Sequence, residues 1–180
     1  MYDYLTYWKE RVDKYGSVNS SVDSNITDYE LYLLEKYVKK NAEVLDYGVG
    51  EGRLFPFYDK IMPKVLGYDI ITYPGVLTKL IDYSAFTYYY TTKLRDDSHF
   101  DVVIAFSILT HIKPDDLERI TNEIISHGNI ALISAYNDNP FHITEDSYCF
   151  SHNYEELFKD YNIIETNKTD KIQYWVITKN

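Results

Sequence analysis

From residue 28 onward, helix-period and strand-period stretches alternate along the chain. Thr27-Asp28-Tyr29-Glu30 has the form of a capping box, and Leu31, Leu34 and Val38 follow at helical spacing, which predicts a helix ending near Asn41. Glu43 to Tyr47 is a short apolar run with the look of a buried parallel strand, and a glycine-rich turn follows it at once. Arg53 to Lys60 predicts a helix with Pro56 in its first turn, and Met62-Pro63 breaks it before a second strand, Lys64 to Asp69. The alternation repeats with a helix over Pro74 to Tyr83, a strand over Phe86 to Thr91 and the most apolar strand over Asp101 to Ser107. Pro114 opens a further helix with the stripe Leu117, Ile120 and Ile124, and Gly128 stands where a left-handed cap would end it. A fifth strand is expected over Asn129 to Tyr136, and a last helix capped by Asn153 runs to Tyr161. Asn162 to Thr166 and Ile172 to Thr178 then flank a turn as a hairpin. The pattern predicts an α/β fold: a doubly wound seven-stranded sheet, mostly parallel, with a C-terminal antiparallel hairpin.

Length and composition narrow the functions open to such a fold. The 180 residues fit one domain, with residues 1-27 as an N-terminal segment ahead of a core over 28-180. Met1 to Lys14 interleaves charged and aromatic residues, so neither a secretion signal nor a membrane span is predicted, and a cytoplasmic location is expected. The single Cys149 excludes an internal disulfide and a thiolate metal cluster; it reads as a buried small hydrophobe, and no metal site is predicted. A net charge of -10 disfavours a nucleic acid partner, because phosphate backbones are bound through Lys and Arg. Lys36, Lys39 and Lys40 are expected to be a solvated helix end. The 20 tyrosines are spread along the whole chain and suggest no stacking platform.

The candidate chemistry begins at Asp46-Tyr47-Gly48-Val49-Gly50-Glu51-Gly52. Glycines at the first strand-to-helix turn of a parallel sheet let a ligand approach the backbone where any Cβ would collide. Such turns also have purely structural uses. A dinucleotide fingerprint needs its third glycine three positions after the second, and Arg53 stands there, so the spacing argues against NAD. Asp69, at the end of the second strand, is placed for a carboxylate to accept both hydroxyls of a ribose. An aspartate that caps the next helix or faces water would be placed alike. Asp46 and Glu51 beside the loop disfavour a phosphate and favour a ligand that carries positive charge.

Three segments together, Val44 to Arg53, Gly67-Tyr68-Asp69-Ile70 and Phe100 to Ile112, resemble the class I S-adenosylmethionine-dependent methyltransferases, a Rossmann-like family. The likeness runs from about residue 28 to the C-terminus. It implies that Asp46 and the backbone of Gly48, Val49, Gly50 and Gly52 surround the methionine end of S-adenosyl-L-methionine, that Asp69 holds the ribose and that Ile70 flanks the adenine. Ala105, Phe106 and Ser107 would then run beside the methionine amino group and sulfonium. Tyr7 and Arg11 resemble a lid segment that closes over the cofactor, though an ordinary amphipathic helix would share their spacing. Where the family often has an acid after the third strand, this chain has Thr91-Thr92, with Asp96 and Asp97 displaced toward the next strand.

The activity implied is methyl transfer by in-line displacement, a task of orientation and water exclusion. A small-molecule acceptor is expected and a protein acceptor stays open. If a base is needed, His111 is the first candidate, and Tyr136 and His142 stand where they would meet an acceptor. His111 would equally serve as a helix-start histidine bonded to backbone, and the segment from Tyr136 to His142 as a polar turn. The alternative reading is an S-adenosylmethionine-binding protein without transfer activity.

Overall fold

The computed structural model describes residues 4–15, 26–73, 82–83, 85–137 and 149–179. Among the described residues, seven strands form a mostly parallel sheet in the order Thr87–Thr91, Lys64–Tyr68, Glu43–Tyr47, Phe100–Phe106, Gly128–Tyr136, Ile172–Thr178, Asn162–Lys168. The chain divides into two compact units, Met1–Arg95 and Asp96–Asn180.

The first unit holds α1 (Tyr4–Tyr15), α2 (Asp28–Tyr37), β1 (Glu43–Tyr47), α3 (Phe55–Ile61), β2 (Lys64–Tyr68) and β3 (Thr87–Thr91). Strands β1, β2 and β3 pair in parallel, with Asp46 opposite Gly67 and Gly67 opposite Tyr90. The capping box of α2 forms as its residues predict, with Thr27 Oγ1 accepting from the Glu30 amide and Glu30 Oε2 from the Thr27 amide. The buried face of α2 carries Glu30, Leu33 and Leu34, while Leu31, expected in the apolar stripe, is exposed. The reason is Glu30: its carboxylate turns inward to a buried partner, and the residue after it is rotated about 100° away. Helix α2 stops at Tyr37, short of the expected Asn41, because Val38 is already extended and Asn41 takes φ 64. Helix α3 starts at Phe55 and not at Arg53, since residues 51–54 form the turn that leaves the glycine loop. The helix expected over Pro74 to Tyr83 lies largely outside the described residues; Asp82 and Tyr83 are not helical.

Aromatic side chains fill the core between α3 and the strands. Phe55 meets Phe86 at 5.5 Å and Tyr88 at 4.9 Å between ring centroids, and Tyr58 meets Phe86 at 5.7 Å. Several of the tyrosines to which composition assigned no role are therefore core residues. The Tyr88 ring lies over Gly67, where an added Cβ would stand 2.2 Å from its hydroxyl oxygen.

The second unit holds β4 (Phe100–Phe106), a 3₁₀ turn (Leu109–His111), α4 (Pro114–Ser126), β5 (Gly128–Tyr136), α5 (Tyr154–Phe158), β6 (Asn162–Lys168) and β7 (Ile172–Thr178). Strands β4 and β5 are parallel, while β7 runs antiparallel to both β5 and β6. Gly128 does not cap α4 in a left-handed conformation: it is the first residue of β5, and the glycines with positive φ are elsewhere. Its need is steric, because a Cβ there would lie 2.6 Å from Val103 Cγ2. Asn153 caps α5 by accepting from the Glu156 amide, but the helix ends at Phe158. Phe158 and Tyr154 pack on Trp175 of β7 at 4.8 Å and 5.1 Å.

The Gly67–Tyr88 contact yields a stability prediction. Gly67→Ala should lower the unfolding free energy by about 1–3 kcal/mol through overpacking. Combining it with Tyr88→Phe, which deletes the atom nearest the new methyl, should recover part of that loss in urea denaturation. An unchanged midpoint for Gly67→Ala would show that the Tyr88 ring is not held in place.

Candidate functional site

In the first unit the candidate residues converge on the turn that leaves β1. Gly48, Gly50 and Gly52 all take positive φ, 78°, 52° and 74°, which side chains with a Cβ seldom adopt. The loop is fastened to the end of β2: the Gly48 and Val49 amides both donate to Tyr68 O, at 2.7 and 3.1 Å. The Gly50 amide donates to Asp69 Oδ2 at 2.9 Å, so Asp69, expected to serve a ligand, also holds the loop. Gly52 does the packing expected of the third glycine in a dinucleotide turn, since a Cβ there would lie 2.4 Å from the Phe55 ring.

Asp46 and Asp69 are both buried, at 5% and 8% exposure. Burial pushes the Asp46 carboxyl up to about 7; the Tyr58 hydroxyl, which donates to Oδ2 at 3.0 Å, and the Arg53 charge pull it back, and Asp69 adds to the rise. Burial also pushes Asp69 up to about 6, against bonds from the amides of Gly50, Ile70 and Ile71 and from the Tyr73 hydroxyl. The Tyr73 bond is long, at 3.4 Å. Ile70 beside it is 38% exposed, an apolar side chain next to a buried acid. At the end of β3, Thr91 Oγ1 donates to Lys93 O and accepts from the Lys93 amide, closing a local turn where an acid was sought.

Helix α1 brings Tyr7 and Arg11 together, with Arg11 Nη1 donating to Tyr7 Oη at 3.3 Å and the guanidinium 5.9 Å from the Trp8 ring. Tyr58 and Tyr73, which the sequence reading passed over, and Glu30, which it read as part of a helix cap, belong to this unit's polar set. The partner of the Tyr58 hydroxyl, Asp46, is a matter of tertiary structure.

In the second unit Ala105 and Phe106 end β4 as buried residues, and Ser107 follows with φ 63. Its amide donates to both the carbonyl and the hydroxyl of Ser134, at 2.9 and 3.1 Å. A serine in the left-handed region at a strand end is a local strain that surrounding bonds must hold. The 3₁₀ turn with His111 is clasped by the segment after it in sequence. His152 Nε2 lies 3.1 Å from Leu109 O, the Phe150 amide donates to Thr110 O at 2.7 Å, and Cys149 Sγ lies 3.6 Å from His111 Nδ1. Cys149 is buried as expected and has this imidazole beside it. Tyr136 ends β5, with its amide donating to Thr110 Oγ1 at 3.3 Å. His142 lies outside the described residues.

Two predictions follow from this chemistry. A carboxyl raised above its ordinary 3.8 to about 7 binds more protons folded than unfolded, so the stability tied to Asp46 is full below the ordinary value and is lost as pH rises to about 7. Asp46→Asn should therefore flatten the decline of unfolding free energy across that window, read by urea denaturation at a series of pH values; an unaltered slope would exclude Asp46 as its source. At Ser107, replacement by Gly should be neutral or stabilise by up to about 1 kcal/mol, whereas Val should destabilise by about 1–2 kcal/mol. Equal midpoints for the two variants would show that the left-handed conformation is not required.

No protein-family model and no curated protein matches the chain. Solved structures do match it. The 1,6-didemethyltoxoflavin-N1-methyltransferase of Burkholderia thailandensis, solved with 1,6-didemethyltoxoflavin and S-adenosylhomocysteine, has a TM-score of 0.77 at 14% identity, over 98% of this chain and 88% of that one. Magnesium protoporphyrin IX methyltransferase of Synechocystis PCC 6803 with bound S-adenosylmethionine has a TM-score of 0.74 at 14% identity, over 100% and 99%. TehB of Haemophilus influenzae has a TM-score of 0.64 at 17% identity, over 97% and 67%. With the strand order, the closing antiparallel hairpin and the glycine turn after β1, these likenesses establish that the chain has the fold of the class I S-adenosylmethionine-dependent methyltransferases.

Proposed function

We propose that this protein is an S-adenosylmethionine-dependent methyltransferase that acts on a small-molecule acceptor. The observation that carries the reading is the loop of three left-handed glycines whose central amide is bonded to the buried carboxylate of Asp69. That arrangement suits the cofactor. The backbone is bare where a ligand must approach it, and the acids nearby, Asp46 and Asp69, favour a cation over a phosphate. The acceptor class draws support from structural neighbours whose names specify small molecules, a didemethyltoxoflavin and a magnesium porphyrin.

In this reading Asp46 and the backbone of Gly48, Val49, Gly50 and Gly52 hold the methionine end, and Asp69 holds the ribose. The long Tyr73 bond leaves Asp69 Oδ1 with capacity to accept a hydroxyl. Ile70 offers an apolar surface to the adenine. When bound, S-adenosylmethionine supplies a methyl group on a positively charged sulfur, an electrophile that needs no activation by the protein. For Ala105, Phe106 and Ser107, as for Tyr7 and Arg11, the cofactor role rests on the family resemblance. His111, whose Nδ1 lies beside the Cys149 thiol, is the candidate base on the acceptor side. Tyr136 and His142 remain candidates for acceptor contact. The net charge of -10 continues to disfavour a nucleic acid acceptor.

Calorimetric titration tests the cofactor. The protein should bind both S-adenosylmethionine and S-adenosylhomocysteine, and Asp69→Ala should weaken both by at least about tenfold, about 1.4 kcal/mol. Absence of heat with either ligand would remove the reading. Release of labelled methyl across a panel of small acceptors tests the transfer itself; tight binding with no transfer to any of them would favour a binding protein without activity.

A further inference from the structure

One carboxylate in the first unit is committed twice. Glu30 closes the capping box of α2, accepting from the Thr27 amide at 2.9 Å, and also receives Arg53 Nη1 at 2.8 Å and Nη2 at 3.1 Å. The pair is well removed from water, with side-chain exposures of 2% for Glu30 and 20% for Arg53. Arg53 directly follows Gly52, so its position is tied to the last turn of the glycine loop. Its charge acts on Asp46 at the start of that loop.

A guanidinium does not shed its proton inside a protein. Beside a loop that receives a sulfonium it would repel the ligand, and its burial makes that repulsion stronger than it would be in water. The bidentate carboxylate of Glu30 cancels the charge at its source. Helix α2 presents that carboxylate in one place, because the capping box fixes the same side chain at the helix start. Of the other groups that act on Arg53, Asp46 is an acid and Tyr58 a phenol.

We propose that Glu30 is a specificity-determining residue of the cofactor site, which by neutralising Arg53 lets the loop favour cationic S-adenosylmethionine over its uncharged-sulfur product, S-adenosylhomocysteine. The inference rests on the function proposed above. The two ligands share adenosine and the amino-acid group and differ by one methyl and one positive charge. A residue that only shapes the loop would therefore change both affinities together, whereas one that sets the charge changes their ratio.

The test is titration of both ligands at pH 8, above the values of about 7 and about 6 to which Asp46 and Asp69 are pushed. Glu30→Gln should lower the preference for S-adenosylmethionine over S-adenosylhomocysteine by about threefold to tenfold. Arg53→Gln should shift the preference in the opposite direction, and the double variant E30Q/R53Q should return it to the wild-type ratio. Equal weakening of both ligands in Glu30→Gln, with the ratio unmoved, would overturn the proposal and leave Glu30 a structural residue. If thermal melting shows that Glu30→Gln does not fold, Arg53→Gln decides: a ratio at or below the wild-type value overturns the proposal. Wild-type protein that binds neither ligand would instead overturn the function on which the proposal stands.

Discussion

The hydrogen bond from the Gly50 amide to the Asp69 carboxylate holds the candidate site together. It fastens the middle of a loop leaving β1 to the residue that follows β2, and the Gly48 and Val49 amides reinforce it through Tyr68 O. A loop drawn that tightly across two strand ends must turn repeatedly into the left-handed region, which explains glycine at three alternate positions. A buried carboxylate costs free energy unless donors surround it. Here three amides and the Tyr73 hydroxyl do so, and the remaining cost shows as an acid raised to about 6.

Around that bond the first unit arranges its charges in pairs. Asp46 has the Tyr58 hydroxyl, Asp69 the amides and Tyr73, and Glu30 the bidentate Arg53. Asp46 lies in β1, Asp69 directly follows β2 and Glu30 lies in α2, so the loop's electrostatics are shared among elements apart in sequence. Burial raises the Asp46 carboxyl and the Tyr58 hydroxyl opposes the rise, while the Tyr58 ring itself packs in the aromatic layer with Phe55 and Phe86. The same layer explains Gly67, whose missing side chain makes room for the Tyr88 ring.

In the second unit a different device positions the functional candidates. Strand β4 runs into Ser107, whose unfavourable φ is maintained by two bonds from one amide to Ser134. The following turn, with His111 at its end, is gripped by three consecutive attachments from residues 149–152. Those residues are remote in sequence from the turn they hold. The contact between His111 Nδ1 and the Cys149 thiol is one that no spacing rule supplies.

The alternation of helix and strand, the parallel sheet with its closing hairpin, the capping box of Thr27 and Glu30 and the cap of Asn153 were all legible in the sequence, because each depends on neighbours within a few residues or on a period of burial. The glycine loop was legible for the same reason, since left-handed backbone leaves a local chemical mark. Boundaries strayed where a long-range contact prevailed over local preference: Gly128 reads as a helix cap but serves Val103 across the sheet, and Leu31 yields the inner face of α2 to Glu30. By itself the sequence determined the fold class and the loop. Only the tertiary structure decided that Asp69 holds Gly50, that Tyr58 bonds to Asp46 and that Glu30 pairs with Arg53, because hydrogen bonds and buried charges select partners by position in space, which period and spacing do not encode.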